Sequence, residues 1–292
     1  MSTYHNCYSV LGDVLRGLND YSTARHNGTS TSGPFDNTWI VNKINVAQKD
    51  IYNILMKRIP ENFLTSASLT FTNSIATLPW DFGKRKRLVD DHGSKVFLSS
   101  VDVLPTNAGV GSDQLFYQKG RTYVLNKAGV TKTYTLYYYT KPRDMHQGTA
   151  SAGASTSITF ASTAKVIADY YNGLTLENIT ADWVNTISDY TAARVATITG
   201  TAAASDYYGT VSELPEEFHH LIAPRAIQLC SMEHPRAQQK PSLADITGWL
   251  DMLDAALLAF AGSDSDVGIE ELFTDYAGGS SSIGGVNIPG HE

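Results

Sequence analysis

The 292-residue chain has two cysteines, Cys7 and Cys230. It is too poor in cysteine for a disulfide framework, so both are expected as free, buried thiols of a protein made in cytoplasm. It has no run of 18 or more apolar residues, so no segment is expected to span a membrane. The first twenty residues, "MSTYHNCYSVLGDVLRGLND", lack the basic start and apolar centre of a secretion signal. An excess of positive charge is missing too. The formal net charge is −7 and argues against a general nucleic-acid binder. The familiar catalytic signatures are absent: no nucleophile elbow, phosphate loop, His-Glu-x-x-His or dinucleotide fingerprint. Asn27 and Asn178 match the glycosylation sequon, as chance allows in a Thr-rich chain.

What is present divides by period. Cys7, Val10, Leu11, Val14, Leu15 and Leu18 recur at three and four, predicting a short helix within 5–19. "YSTARHNGTSTSGP" follows and reads as a loop. Asp36 or Asn37 can cap a longer helix carrying Ile40, Ile44, Ala47, Ile51, Ile54 and Leu55, which stops near Ile59 because Pro60 follows. From about 63 to 145 the period falls to two. Hairpins are expected to turn on Thr72, Asn73 and Ser74 and on Asp91, His92 and Gly93, with two or three more strands around Lys119–Gly120 and Ala128–Gly129.

Residues 146–212 are poor in charge and rich in Thr, Ser and Ala. Short β-like runs such as "STSITF" and "GLTLENIT" alternate there with "DYYNG" and "DYYGT", both read as turns. Helices return after Pro215, with Phe218, Leu221, Ile222, Ala226, Leu229 and Met232 as one stripe. Pro224 lies inside it, so a kink or break is expected there. A last long helix begins near Pro241, a further turn is expected around 269–277, and a Gly/Ser-rich tail ends the chain. Such a tail is flexible alone and orders only on a partner.

Glu216 and Glu217 each precede a histidine by three residues, half of a di-metal carboxylate motif. No second Glu-x-x-His exists, and His219 and His220 stand about 100° apart around a helix. The two acids at a helix start have a simpler use, complementing the positive end of its dipole. Neither a metal nor another cofactor is expected, and the chain is not read as an enzyme.

Two charge features are more specific. Lys84, Arg85, Lys86 and Arg87 form the only cluster of four like charges, a solvated strand or a contact for acidic protein or nucleic acid. On a strand, Lys84 and Lys86 would face one way, Arg85 and Arg87 the other. Pro241 to Glu292 holds nine Asp or Glu and no Lys or Arg.

The stretches "NDYSTARHNGT", "FDNTWIVNKINVAQKDIYNILMKRIPENF", "LPWDFGKRKRLVDDHGSKV" and "LPEEFHHLIAPRAIQLC" resemble the adaptor, or head–tail connector, proteins of tailed bacteriophages. "DYYNGLTLENITADWVNTISDYTAARVATITG" is similar to a β-module of other phage structural proteins. The resemblance implies an α+β chain with a helical bundle from the N- and C-terminal helices plus β-hairpins (1–145 and 213–276). A small, sandwich-like all-β domain (146–212) would be inserted in it, and a tail (277–292) would dock on a partner. It further implies a virion protein at the phage neck, assembled in host cytoplasm as a ring, usually of twelve. The ring would bridge the portal to a stopper or tail protein and surround a channel through which DNA passes without sequence-specific binding.

On this reading Ile283, Val286, Asn287, Ile288 and Pro289 meet the portal. Lys84 to Arg87 pair across subunits with Glu270, Glu271 and Asp275, or else the acidic stretch keeps the channel wall slippery to DNA. His219 and His220 would lie toward helix ends or subunit contacts; if either sits at a ring interface, assembly is expected to weaken as pH falls through ~6.5. A different function also fits the β-module. Tyr170, Tyr171, Trp183, Tyr207 and Tyr208 on its surface would stack on sugars in a carbohydrate- or surface-binding virion component.

Overall fold

The computed structural model describes residues 5–28, 33, 35–98, 115–125, 128–233 and 243–263. Helix α1 (Cys7–Gly17) starts where the Asn6 side chain accepts from the Ser9 amide, and its stripe Cys7, Val10, Leu11, Val14 and Leu15 is fully buried. The stretch expected as a loop contains a one-turn helix, α2 (Thr23–His26), capped by Ser22. Its polar composition hides a packing role. Arg25 pairs with Asp20 at 3.0 Å, and His26 packs on Gly12, where a Cβ would stand 2.9 Å from the ring. Asp36 caps α3 (Asn37–Arg58), which ends at Ile59 ahead of Pro60 and a 3₁₀ turn, Pro60–Phe63.

Seven strands follow: β1 (Leu64–Phe71), β2 (Ile75–Thr77), β3 (Phe82–Val89), β4 (Lys95–Leu98), β5 (Leu115–Lys119), β6 (Thr122–Leu125) and β7 (Lys132–Thr140). They form one sheet in the order β1-β7-β3-β4-β5-β6-β2. The chain does turn at Asn73 and Ser74, both at positive φ. The flanking strands, however, share only the Thr72–Ile75 bridge: β1 pairs with β7 and β2 with β6. Because the turn joins the two ends of the strand order, the sheet curls over an apolar interior that includes Phe71, Leu88, Phe116, Tyr123 and Leu136. Hairpins β3–β4 and β5–β6 form at the expected turns.

Eight short strands, β8 (Gln147–Thr149), β9 (Ala152–Ala154), β10 (Ser157–Thr159), β11 (Thr175–Asn178), β12 (Trp183–Thr186), β13 (Asp189–Tyr190), β14 (Val195–Thr197) and β15 (Tyr207–Thr210), make two four-stranded sheets. Their own core gathers Phe160, Tyr171, Leu176, Tyr190 and Tyr208. "DYYGT", expected as a turn, supplies β15, which lies between β11 and β8. Tyr208 and Thr210 are fully buried there, so burial overrides the turn-like composition.

The chain then returns to the helices through a 3₁₀ segment, Glu216–Leu221, into α4 (Ile222–Glu233), with Pro224 in its first turn, and later α5 (Leu243–Ser263). The expected break is the change from 3₁₀ to α. Three residues per turn before it rotate the stripe, so Gln228 and Cys230 are buried while Met232 is half exposed. Leu229 is only half-buried against the core. α1, α3, α4 and α5 share one core, joined by Phe63, Met145 and Leu214. The architecture is α+β with several sheets. Cys7 and Cys230 are both free and buried. The turn expected at 269–277 and the tail lie outside the described residues.

Candidate functional site

The chain enters the second β region through Lys141–His146 and leaves it through Val211–Leu214. Arg143 and Glu213 tie these two passages together. Arg143 donates to Glu213 through its backbone N, Nε and Nη2, the last at 2.6 Å. Its Nη1 reaches the carbonyls of Tyr170 and Asn172 at 3.2 and 2.5 Å. Neither residue stands out in the sequence. "KPRD" reads as a polar linker, and the only signal is a cation and an acid at the two ends of one inserted stretch.

Beside this junction a cleft of about 680 Å³ opens between the start of α3 and the β region. Asp144 lies on it between Lys49 (2.5 Å) and Lys165 (3.2 Å). Burial works to raise the Asp144 carboxyl, but the two lysines hold it below the usual carboxylate range. His146 also lines the cleft, yet its ring is spent on Thr163 (3.1 Å) and Tyr208 (3.3 Å) and stacks on Phe160. Burial, with Lys165 adding, lowers it to about 4. The polar contacts of Asp144 and His146 are thus internal ones that join the walls of the cleft.

The neutral His146 carries a pH prediction. Unfolding restores an ordinary histidine near 6.5, so between about 6.5 and 4 the unfolded chain binds more protons than the folded one. Stability is then full above that window and falls as pH drops through it, by up to roughly 3 kcal/mol. His219 is lowered by burial as well and adds in the same direction. Urea midpoints measured between pH 7.5 and 4.5 check this. An unchanged midpoint would show that His146 is protonated in place.

Placement of the remaining sequence-flagged residues is mixed. On β3, bulges interrupt the alternation between Phe82 and Lys84 and between Arg85 and Arg87. Lys84 and Arg87 therefore oppose Tyr139 and Tyr137 on the outer face, which Lys86 shares, while Arg85 opposes Tyr138 and packs over Phe116. The expected two-and-two split becomes three and one. Lys86 already pairs with Glu61 at 2.8 Å. Glu270, Glu271, Asp275 and the tail residues Ile283, Val286, Asn287, Ile288 and Pro289 lie outside the described residues.

Of the five module aromatics, Tyr171 and Tyr208, expected on the surface, are buried in the core, where flat rings fill the space between the two sheets. Tyr170 packs edge-on to Trp80 and Tyr171 and is half-buried. Tyr207 lies along Tyr8, and Trp183 stands over Gly200 with its indole N–H on the Thr201 carbonyl. The five do not form one aromatic platform.

His219 is buried in the 3₁₀ segment that leads into α4, with Nε2 2.7 Å from the Leu214 carbonyl; His220 is exposed. Among the described residues, Asp90, Asp91 and His92 bring three ligand-type atoms together. Asp90 is engaged with the amides of His92 and Ser94, and Asp91 with Lys132, so the cluster serves the β3–β4 turn. No helix is long and apolar enough to cross a membrane among the described residues. Set against models of known families and against curated proteins, the chain matches none.

Proposed function

We propose that the chain is a structural, ring-forming protein of a phage neck, an adaptor joining the portal to a stopper or tail protein around the DNA channel. The observation that carries the reading is the way both chain ends build one helical core. α1 and α3 come from one end and α4 and α5 from the other, with the β-rich parts extruded between them. This arrangement suits the helical bundle with a β extension that the adaptor resemblance implies.

The outer side of α5 supports assembly. Trp249, Leu253 and Leu257 face the core, yet Leu250, Met252 and Leu258 on other sides remain 37%, 42% and 41% exposed. Large apolar side chains left outward beside Asp251 and Asp254 are ones that neighbours cover. In the proposed ring, copies of the chain cover it, twelve of them in the usual adaptor, and residues 277–292 reach the portal.

The test is co-sedimentation of the full chain with the portal protein of the same genome. The full chain is expected to travel with the portal. Chains ending at 276, and a Leu250→Glu/Leu258→Glu variant that keeps its circular dichroism, are expected to stay behind. A full chain that never co-sediments would remove the adaptor reading.

A further inference from the structure

The net charge of −7 conceals a segregation. Residues 82–143 hold 11 of the 22 Lys and Arg but only four of the 29 Asp and Glu. The curled sheet built largely from this stretch turns one side inward to its apolar interior, while the outer side of β1, β7 and β3 carries the exposed Ser66, Ser68, Thr70, Lys84 and Arg87. Tyr137 lies in the middle of that face, while Tyr139 at one end packs against the helical core and donates to Glu61 at 3.3 Å. Lys84 and Arg87 stand beside them on β3 and Lys95 beyond on β4, while Lys141 continues the line past the end of β7. All four are exposed.

The Arg87 guanidinium lies 4.2 Å from the centre of the Tyr137 ring, a planar cation resting on an aromatic shelf. Ser66, Ser68 and Thr70 line the β1 edge and offer hydroxyl donors. Among the described residues, none of Lys84, Arg87, Lys95 and Lys141 has a carboxylate partner. Glu61 is taken by Lys86, and Asp91 by Lys132.

We infer that this outer sheet face binds the phosphodiester backbone of nucleic acid without sequence preference. Several unpaired cations on a shallow surface, interleaved with aromatic rings and hydroxyls, suit a chain of regularly spaced phosphates. An acidic segment of a second copy is the competing occupant. The described part of this chain's own acidic stretch fits less well, because Asp254 is already paired with Arg58. The inference is independent of the ring reading and stands or falls without it.

The test is fluorescence anisotropy of the full chain with two probes, an oligothymidylate and a mixed-sequence duplex. With four phosphates neutralised, raising salt from about 50 to 200 mM should weaken binding roughly 50- to 150-fold. A Lys84→Ser/Arg87→Ser/Lys95→Ser/Lys141→Ser variant should bind at least about tenfold more weakly. Its salt slope should drop by about one for each phosphate it no longer neutralises. Arg16→Ser/Lys57→Ser, which removes two exposed helix cations elsewhere, should bind like the parent. Single substitutions, each with an unchanged melting curve, keep the test decisive if the fourfold variant folds poorly.

No binding of either probe at about 50 mM salt, where backbone contacts are strongest, would overturn the inference. So would binding that the fourfold variant leaves intact. A variant that loses self-association while the parent binds neither probe would assign the face to a neighbouring copy instead.

Discussion

Glu213→Ala is expected to cost about 3–5 kcal/mol, because it leaves the Arg143 guanidinium, only 10% exposed, without its counter-charge. Arg143 cannot swing into water to recover. Its remaining donors are held by the carbonyls of Tyr170 and Asn172, and its backbone N–H would lose its acceptor as well. The loss should be local before it is global. Hydrogen exchange is expected to quicken at 141–147, 170–172 and 210–214 while the β1–β7 and β3–β7 ladders keep their protection. An Arg143→Met/Glu213→Leu double replacement, which buries no charge, should recover much of the stability. A Glu213→Ala protein within about 0.5 kcal/mol of the parent would mean that water screens the pair as it does at a surface.

Phe218→Ala should lower stability by a similar amount, about 3–5 kcal/mol. Phe218 is fully buried, and its ring centre lies 5.6 Å from that of Phe260 on α5. The 3₁₀ segment that carries it is tied to α5 again by Trp249, whose indole N–H donates to the Leu221 carbonyl at 3.2 Å. Truncation therefore opens a cavity between two elements that cannot close over it without breaking that bond. Because the two β regions have cores of their own, unfolding followed by far-UV circular dichroism should show the helical part melting first, in a separate step. A single transition at the parent's midpoint would contradict this placement of Phe218.

The sequence showed faces well and partners poorly. The stripes of α1 and α3 were legible because a helix satisfies its own backbone, so spacing alone reports the buried side. The Asn73–Ser74 turn was legible for the same local reason. The pairing of β1 with β7, 60 or more residues away in the chain, was not, since alternation marks which side of a strand is buried and is silent on its neighbour. "DYYGT" was misjudged because turn-prone residues also make short buried strands. The bulge between Arg85 and Arg87 moves Arg87 to the face of Lys84, which strict alternation forbids. Arg143 and Glu213 were passed over because each looks like an ordinary linker residue until the fold brings them together. The net charge, a sum over the whole chain, is silent on where charge gathers: half of the Lys and Arg fall within residues 82–143.

The adaptor reading meets its most direct test in electron microscopy of the full chain mixed with the portal of the same genome. A closed ring of added density is expected beneath the portal's clip, absent when residues 277–292 are deleted. Portal particles that look the same with and without the full chain would contradict it.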